Sequence, residues 1–153
     1  IGGGDGGVAR ECISKNFSFV DWYELDPEVV EICNKHLGDI GKKATEKNSV
    51  KCLWGDAFES IKSAGDDTYD HIFVDLNDDE FCINLAAKNM DSLVRILKPK
   101  GVITAQVGSE DKKPHQVENW LNIFNHHFGN TKLSRVYIPS FDCSWNFSSS
   151  INH

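Results

Sequence analysis

Four acidic side chains and one glycine-rich turn carry the chemistry legible in this chain. The turn is "IGGGDGGVARE" at residues 1–11, with Asp5 set among five glycines. Glu24 follows it by 19 residues, Asp56 stands in "WGDAF", and Asp75 stands in "VDLNDDE". Glu24, Asp56 and Asp75 each fall at the end of an expected strand. In an open α/β sheet the carboxyl ends of successive strands are where ligands sit. The spacing from the turn to Glu24 suits a carboxylate that accepts hydrogen bonds from ribose hydroxyls. Asp56 suits an acceptor for an adenine amino group, and it also suits a helix cap. Together the acids read as a nucleoside cleft. Asp5 argues against a pyrophosphate on the following helix N-terminus, which it would repel. A ligand that brings positive charge there fits better. An S-adenosyl sulfonium compound does so, and its amine tail adds a second cation. The decarboxylated form keeps the amine and drops the carboxylate that Asp5 would disfavour.

The elements that must position these residues alternate. A helix is expected from "GVARECISK", a strand from "FSFVDWYEL" (17–25), and a helix from "DPEVVEICNKHL" (26–37), with Pro27 early in it. "SVKCLWG" (49–55) reads as a strand and "DAFESIKSA" as a short helix behind Asp56. "YDHIFVDL" (69–76) is a nearly continuous apolar strand, as expected where both sheet faces are covered. A single helix is expected over 82–97, stopped by "KPKG". A strand over 102–108, a helix over 114–129 and a closing strand pair complete the chain. The pattern predicts an α/β fold: a doubly wound, mainly parallel sheet ending in an antiparallel strand. The buried central strand that should precede the glycine turn is represented only by Ile1. The chain therefore reads as a C-terminal part of a longer protein, forming one domain over 1–153 with its first strand truncated. Trp22, Trp54 and Trp120 are expected in the core.

Composition bounds the function classes. The chain has 153 residues, 40% hydrophobic and 25% charged, which suits one soluble globular domain. A formal net charge of −7 disfavours nucleic acid as a partner, since phosphate binding needs a Lys/Arg surplus. No apolar run approaches a membrane span and no signal peptide pattern appears. The five cysteines are odd in number, widely spaced and without a CxxC pair. That pattern fits reduced thiols in the cytoplasm rather than a zinc or disulfide framework. The adjacent His126 and His127 point to different helix faces and make a poor metal pair.

The segments "IGGGDGGVARE", "YELDPEVVEIC", "GDAF", "YDHIFVDLNDD" and "LKPKGVI" resemble the polyamine aminopropyltransferases, the spermidine and spermine synthases. "IPSFDCSWNF" resembles the tail of spermine synthases in particular, with Trp145 and Phe147 on aromatic positions. The family fold is the Rossmann-like one of the S-adenosylmethionine-dependent methyltransferases. The resemblance implies transfer of the aminopropyl group of decarboxylated S-adenosylmethionine to a polyamine, spermidine or putrescine, with release of methylthioadenosine. It implies that Asp5 holds the donor's ammonium, Glu24 the ribose, and Asp56 with Ala57 the adenine. Gly2, Gly3, Gly4 and Leu25 complete the donor site. Asp75 is implied as the residue that orients and deprotonates the attacking amine, with Asp78, Phe141 and Trp145 on the acceptor. No metal is required, because a sulfonium already leaves readily. An N-terminal β-domain and a homodimer formed through it are implied as well. The family usually carries a proline soon after the catalytic acid, and "DLNDDEFC" has none. Two other readings stand beside transfer of an aminopropyl group: methyl transfer from S-adenosylmethionine on the same fold, and a non-catalytic relative.

Overall fold

The computed structural model describes residues 1–41 and 44–153. The chain divides into two compact units, Ile1–Ser60 and Ile61–His153. In the first unit, α1 (Gly7–Ser14) leaves the glycine turn, β1 spans Val20–Glu24, α2 spans Pro27–His36, α3 spans Asp39–Thr45, β2 spans Val50–Trp54 and α4 spans Ala57–Ser60. β1 and β2 pair in parallel, with Glu24 opposite Trp54. Asp26 caps α2 by accepting the Glu28 N–H at 2.9 Å, and Pro27 fills the first turn, where no intrahelical donor is lost. The core of this unit is Ala9, Trp22, Val30 and Ala44, with Ile13, Val20, Val50 and Cys52 packed around it.

The second unit contains β3 (Tyr69–Val74), α5 (Glu80–Lys88), α6 (Met90–Ile96), β4 (Leu97–Gly108), α7 (Pro114–Phe128), β5 (Thr131–Ile138) and β6 (Cys143–Ile151). Its sheet runs β3-β4-β6-β5. β3 and β4 are parallel, while β6 lies antiparallel between β4 and β5. Side chains alternate across a strand, so the register sorts the residues by face. One face carries Ile72, Val74, Ile103, Ala105 and Val107, all buried, together with Asn146, Ser148 and Ser150. The other carries His71, Phe73, Thr104, Gln106, Phe147 and Ser149, all half-buried. Met90, Leu93 and Ile96 of α6 and Val117, Trp120, Phe124 and Phe128 of α7 supply the rest of the buried apolar side chains.

The α/β fold and its closing antiparallel strands are as the sequence indicates, with differences in detail. The described strands form two sheets rather than one. Ahead of the glycine turn only a bridge exists, from the Gly2 N–H to the Tyr23 carbonyl at 2.8 Å. The helix expected over 82–97 breaks at Asn89, which ends α5 and begins α6. The Asn89 amide donates to the Leu85 carbonyl at 2.8 Å, the kind of local bond by which Asn competes with helix continuation. The helical stretch does stop just before "KPKG", α6 ending at Ile96, and the segment itself is the start of β4, where Leu97 pairs with Tyr69. Trp54 is not core: it is 51% exposed, whereas Trp22 and Trp120 are buried as expected. A helix that the sequence reading lacked, α3, fills the link between α2 and β2. Among the described residues, no helix is long and apolar enough to cross a membrane.

Candidate active site

The first unit assembles the turn and two of the strand-end acids. Gly2, Gly3 and Gly6 all have positive φ (75°, 67° and 74°), a path open to glycine at low cost. The turn closes with the Gly6 N–H on the Gly3 carbonyl at 2.8 Å. The exposed Asp5 carboxylate accepts the Gly7 N–H at 2.8 Å, so it serves the turn itself and satisfies a first-turn donor of α1. Gly4 is required for another reason. A Cβ there would lie 2.7 Å from Val29 Cγ1 and 3.2 Å from Glu24 Oε2. The bare Gly4 backbone is what lets the buried Glu24 carboxylate lie against the turn.

Glu24 is held from the other side too, its Oε1 accepting the Asp26 N–H at 3.1 Å. The Glu24 carbonyl accepts the Gly55 N–H at 2.9 Å, which brings the ends of β1 and β2 level. Asp56 follows directly and accepts the Phe58 N–H at 2.8 Å, so it is the helix cap of α4 as well as a ligand candidate. Ala57 is buried in that first turn, and Leu25 beside Glu24 is 71% exposed. The turn, Glu24, Leu25, Asp56 and Ala57 thus line one end of a parallel strand pair.

The second unit carries an open cavity of about 250 Å³ lined by Asp75, Asp78, Gln106, Ile138, Phe141, Trp145 and Phe147. Asp75 comes directly after Val74, and strand alternation turns it to the half-buried face with His71 and Phe73. Asp78 accepts a hydrogen bond from Gln106 Nε2 at 2.8 Å, and its carbonyl accepts one from Lys113 Nζ at 2.7 Å. Asp79, next to it, caps α5 through the Cys82 N–H at 2.8 Å. That bond holds its carboxyl below the usual Asp range, with Lys113 nearby acting in the same direction.

The apolar wall is aromatic: Phe141 and Trp145 have ring centroids 4.7 Å apart, tilted by 46°. The Trp145 indole N–H donates to Gln106 Oε1 at 2.6 Å. Phe141 sits on a short 3-10 turn, Pro139–Phe141, whose Phe141 carbonyl accepts Lys112 Nζ at 2.9 Å. Asp75, Asp78, Phe141 and Trp145 are therefore gathered in one cavity. The sequence reading missed Gln106 and Ile138. A signal for Gln106 was present, an amide side chain inside the largely apolar strand run "VITAQVG".

Such a cavity has a definite chemistry. Its carboxylates attract ammonium groups, and its aromatic rings cover methylene chains and favour cations over their faces. The first unit places the carboxylates of Glu24 and Asp56 at neighbouring strand ends, where open α/β sheets hold their ligands.

Comparison with known proteins gives the family and the fold. The spermine/spermidine synthase domain family matches residues 1–153. A polyamine aminopropyltransferase of Prochlorococcus marinus (strain MIT 9215) is 32% identical over 158 residues, covering 99% of this chain and 56% of that protein. Another, from Korarchaeum cryptofilum, is 27% identical, covering 97% of this chain and 46% of that protein. The chain spans about half the length of the curated relatives it matches. Among solved structures, a spermidine synthase in complex with the transition-state analogue AdoDATO aligns at a TM-score of 0.88 and 18% identity. It covers 99% of this chain and 53% of that one. The spermidine synthase from Thermotoga maritima aligns at 0.87, also at 18% identity, with 99% and 52% coverage. These likenesses give the fold, and the sequence matches give the family: the chain belongs to the spermine/spermidine synthase domain family.

Proposed function

We propose that this chain is the catalytic part of a polyamine aminopropyltransferase, with decarboxylated S-adenosylmethionine as donor and spermidine or putrescine as acceptor. The observation that carries the reading is the cavity lined by both Asp75 and Asp78 and by Phe141, Trp145 and Phe147, in a chain of this family. A polyamine alternates ammonium and methylene groups, and the acids and the aromatic rings match those two chemistries. Support for the donor comes from Glu24 against the bare Gly4 backbone and from Asp56 at the end of the neighbouring strand. A fold neighbour solved with the transition-state analogue AdoDATO adds to it.

The proposed roles follow from the chemistry. The acceptor amine must be neutral to attack, yet it is protonated near pH 7. Asp75 takes that proton, or holds the nitrogen by a hydrogen bond while it is lost. The nitrogen lone pair then forms a bond to the carbon next to the sulfonium. The carbon–sulfur bond breaks, its electron pair stays on sulfur, and neutral methylthioadenosine leaves. Asp78 and the aromatic wall hold the rest of the polyamine, trading its freedom for orientation. Asp5 attracts the donor's ammonium, Glu24 accepts from the ribose hydroxyls, and Asp56 with Ala57 meets the adenine, beside Gly2, Gly3, Gly4 and Leu25. A cytoplasmic homodimer, the setting the resemblance implies, belongs to the same proposal.

The test is Asp75→Asn, assayed for turnover and for donor binding by calorimetry. Turnover is expected to fall by about 100-fold or more, the usual weight of a general base, with donor affinity unchanged. Unchanged turnover would remove Asp75 from the mechanism.

A further inference from the structure

Gln106 lines the acceptor cavity and is hydrogen-bonded both to one of its acids, Asp78, and to one of its aromatic residues, Trp145. It lies on β4, between β3 and β6, with Phe147 as its direct partner across the antiparallel pair. Its Nε2 donates to Asp78 Oδ1 at 2.8 Å and to the Leu76 carbonyl, and its Oε1 accepts the Trp145 indole N–H at 2.6 Å. The partners dictate which way the amide points. An indole nitrogen only donates, so it must meet the amide oxygen. A carboxylate and a carbonyl only accept, so they must meet the amide nitrogen. Both amide hydrogens are then spent on the protein.

We propose that Gln106 is a positioning residue that locks Asp78 and Trp145 into one fixed spacing and thereby sets acceptor affinity, without itself bonding the polyamine. The inference rests on the acceptor-cavity reading above. The physical logic is preorganisation. Asp78 hangs on a loop between β3 and α5, and the indole of Trp145 stands on β6. Left unlinked, each would lose conformational freedom when the acceptor binds, and that cost would appear in the affinity. Gln106 is anchored on the interior of a sheet, where the backbone is least free to move. Its bond to a carboxylate belongs to the stronger class of hydrogen bonds. Asp78 and Trp145 therefore move as one body, at a separation fixed by the length of a single side chain.

The experiment uses the full chain, with Gln106→Met as the volume-conserving variant and thermal melting to establish that it folds. The acceptor KM is expected to rise about tenfold, the weight of one charge-assisted hydrogen bond, with the donor KM unmoved and the loss carried by KM rather than kcat. A double-mutant cycle gives the readout that a merely structural role would not move. Asp78→Asn and Trp145→Phe are expected to be non-additive in acceptor KM when Gln106 is present, and additive in the Gln106→Met background. A second, activity-independent measurement is the Trp145 indole N–H resonance. It should shift in Gln106→Met, which leaves the indole N–H without its acceptor. An unmoved acceptor KM in a folded, active Gln106→Met, or additivity in both backgrounds, would overturn this inference alone. No acceptor turnover in the unsubstituted chain would overturn the cavity reading and this inference with it.

Discussion

Glu24 shows how closely a candidate ligand-binding side chain depends on a residue that has none. Its carboxylate lies 3.2 Å from the point where a Gly4 Cβ would stand, so the glycine is part of the Glu24 site. Gly4→Ala should therefore weaken donor binding severalfold, since a contact at that distance forces the neighbour to give way. Glu24→Gln should weaken it by about tenfold, the loss of charge-assisted bonds to ribose. Calorimetry on both variants checks the pair, and unchanged affinity in Glu24→Gln would take the ribose role from it. The strand-end acids were legible in the sequence because each is marked locally, by an apolar run before it and a helix pattern after it. Asp5 was legible as an unusual acid, and its Gly7 bond supplies a local reason for it beside the ligand reading. Gln106 was not legible as a hub, because its partners Asp78 and Trp145 lie 28 and 39 residues away. Trp54 was misread as core because a strand's apolar pattern does not reveal which of its faces is covered.

Among the elements, α3 is the one that the sequence reading lacked, and it packs on the glycine turn. A Cβ on Gly41 would stand 2.2 Å from the Asp5 carbonyl oxygen and must displace backbone. Gly41→Ala should cost about 1–3 kcal/mol of stability, an overpacking effect, readable as a lowered melting temperature. The helix split at Asn89 was hidden because Asn is tolerated in helices, and only the bond to Leu85 shows that it interrupts this one. β3 carries a titratable group of its own. His71 stacks on Phe73 at 4.0 Å and bonds Thr104 Oγ1 at 3.1 Å, and burial pushes its pKa down from 6.5. The folded state thus resists the proton that the unfolded chain accepts. His71 therefore costs no stability well above pH 6.5, and stability is lost as pH falls from there toward the folded-state value. His71→Gln should show a smaller drop in melting temperature between pH 8 and pH 5 than the unsubstituted chain. An equal drop in both would remove His71 from the acid response.

At the scale of the whole molecule, the fold was legible from the alternation of apolar runs and helical patterns, which local physics enforces. The division into two sheets was not, since pairing between distant strands leaves little local mark. The excess of negative charge suits a chain whose proposed ligands are cations, a sulfonium and a polyamine. The measurement that bears most directly on the function is product identity by mass spectrometry. The chain is incubated with spermidine or putrescine and, in parallel, with decarboxylated and carboxylated S-adenosylmethionine. The expected result is equimolar methylthioadenosine and a polyamine lengthened by one aminopropyl group, formed from the decarboxylated donor. A methylated amine with S-adenosylhomocysteine from the carboxylated donor, or no product from either, would contradict it.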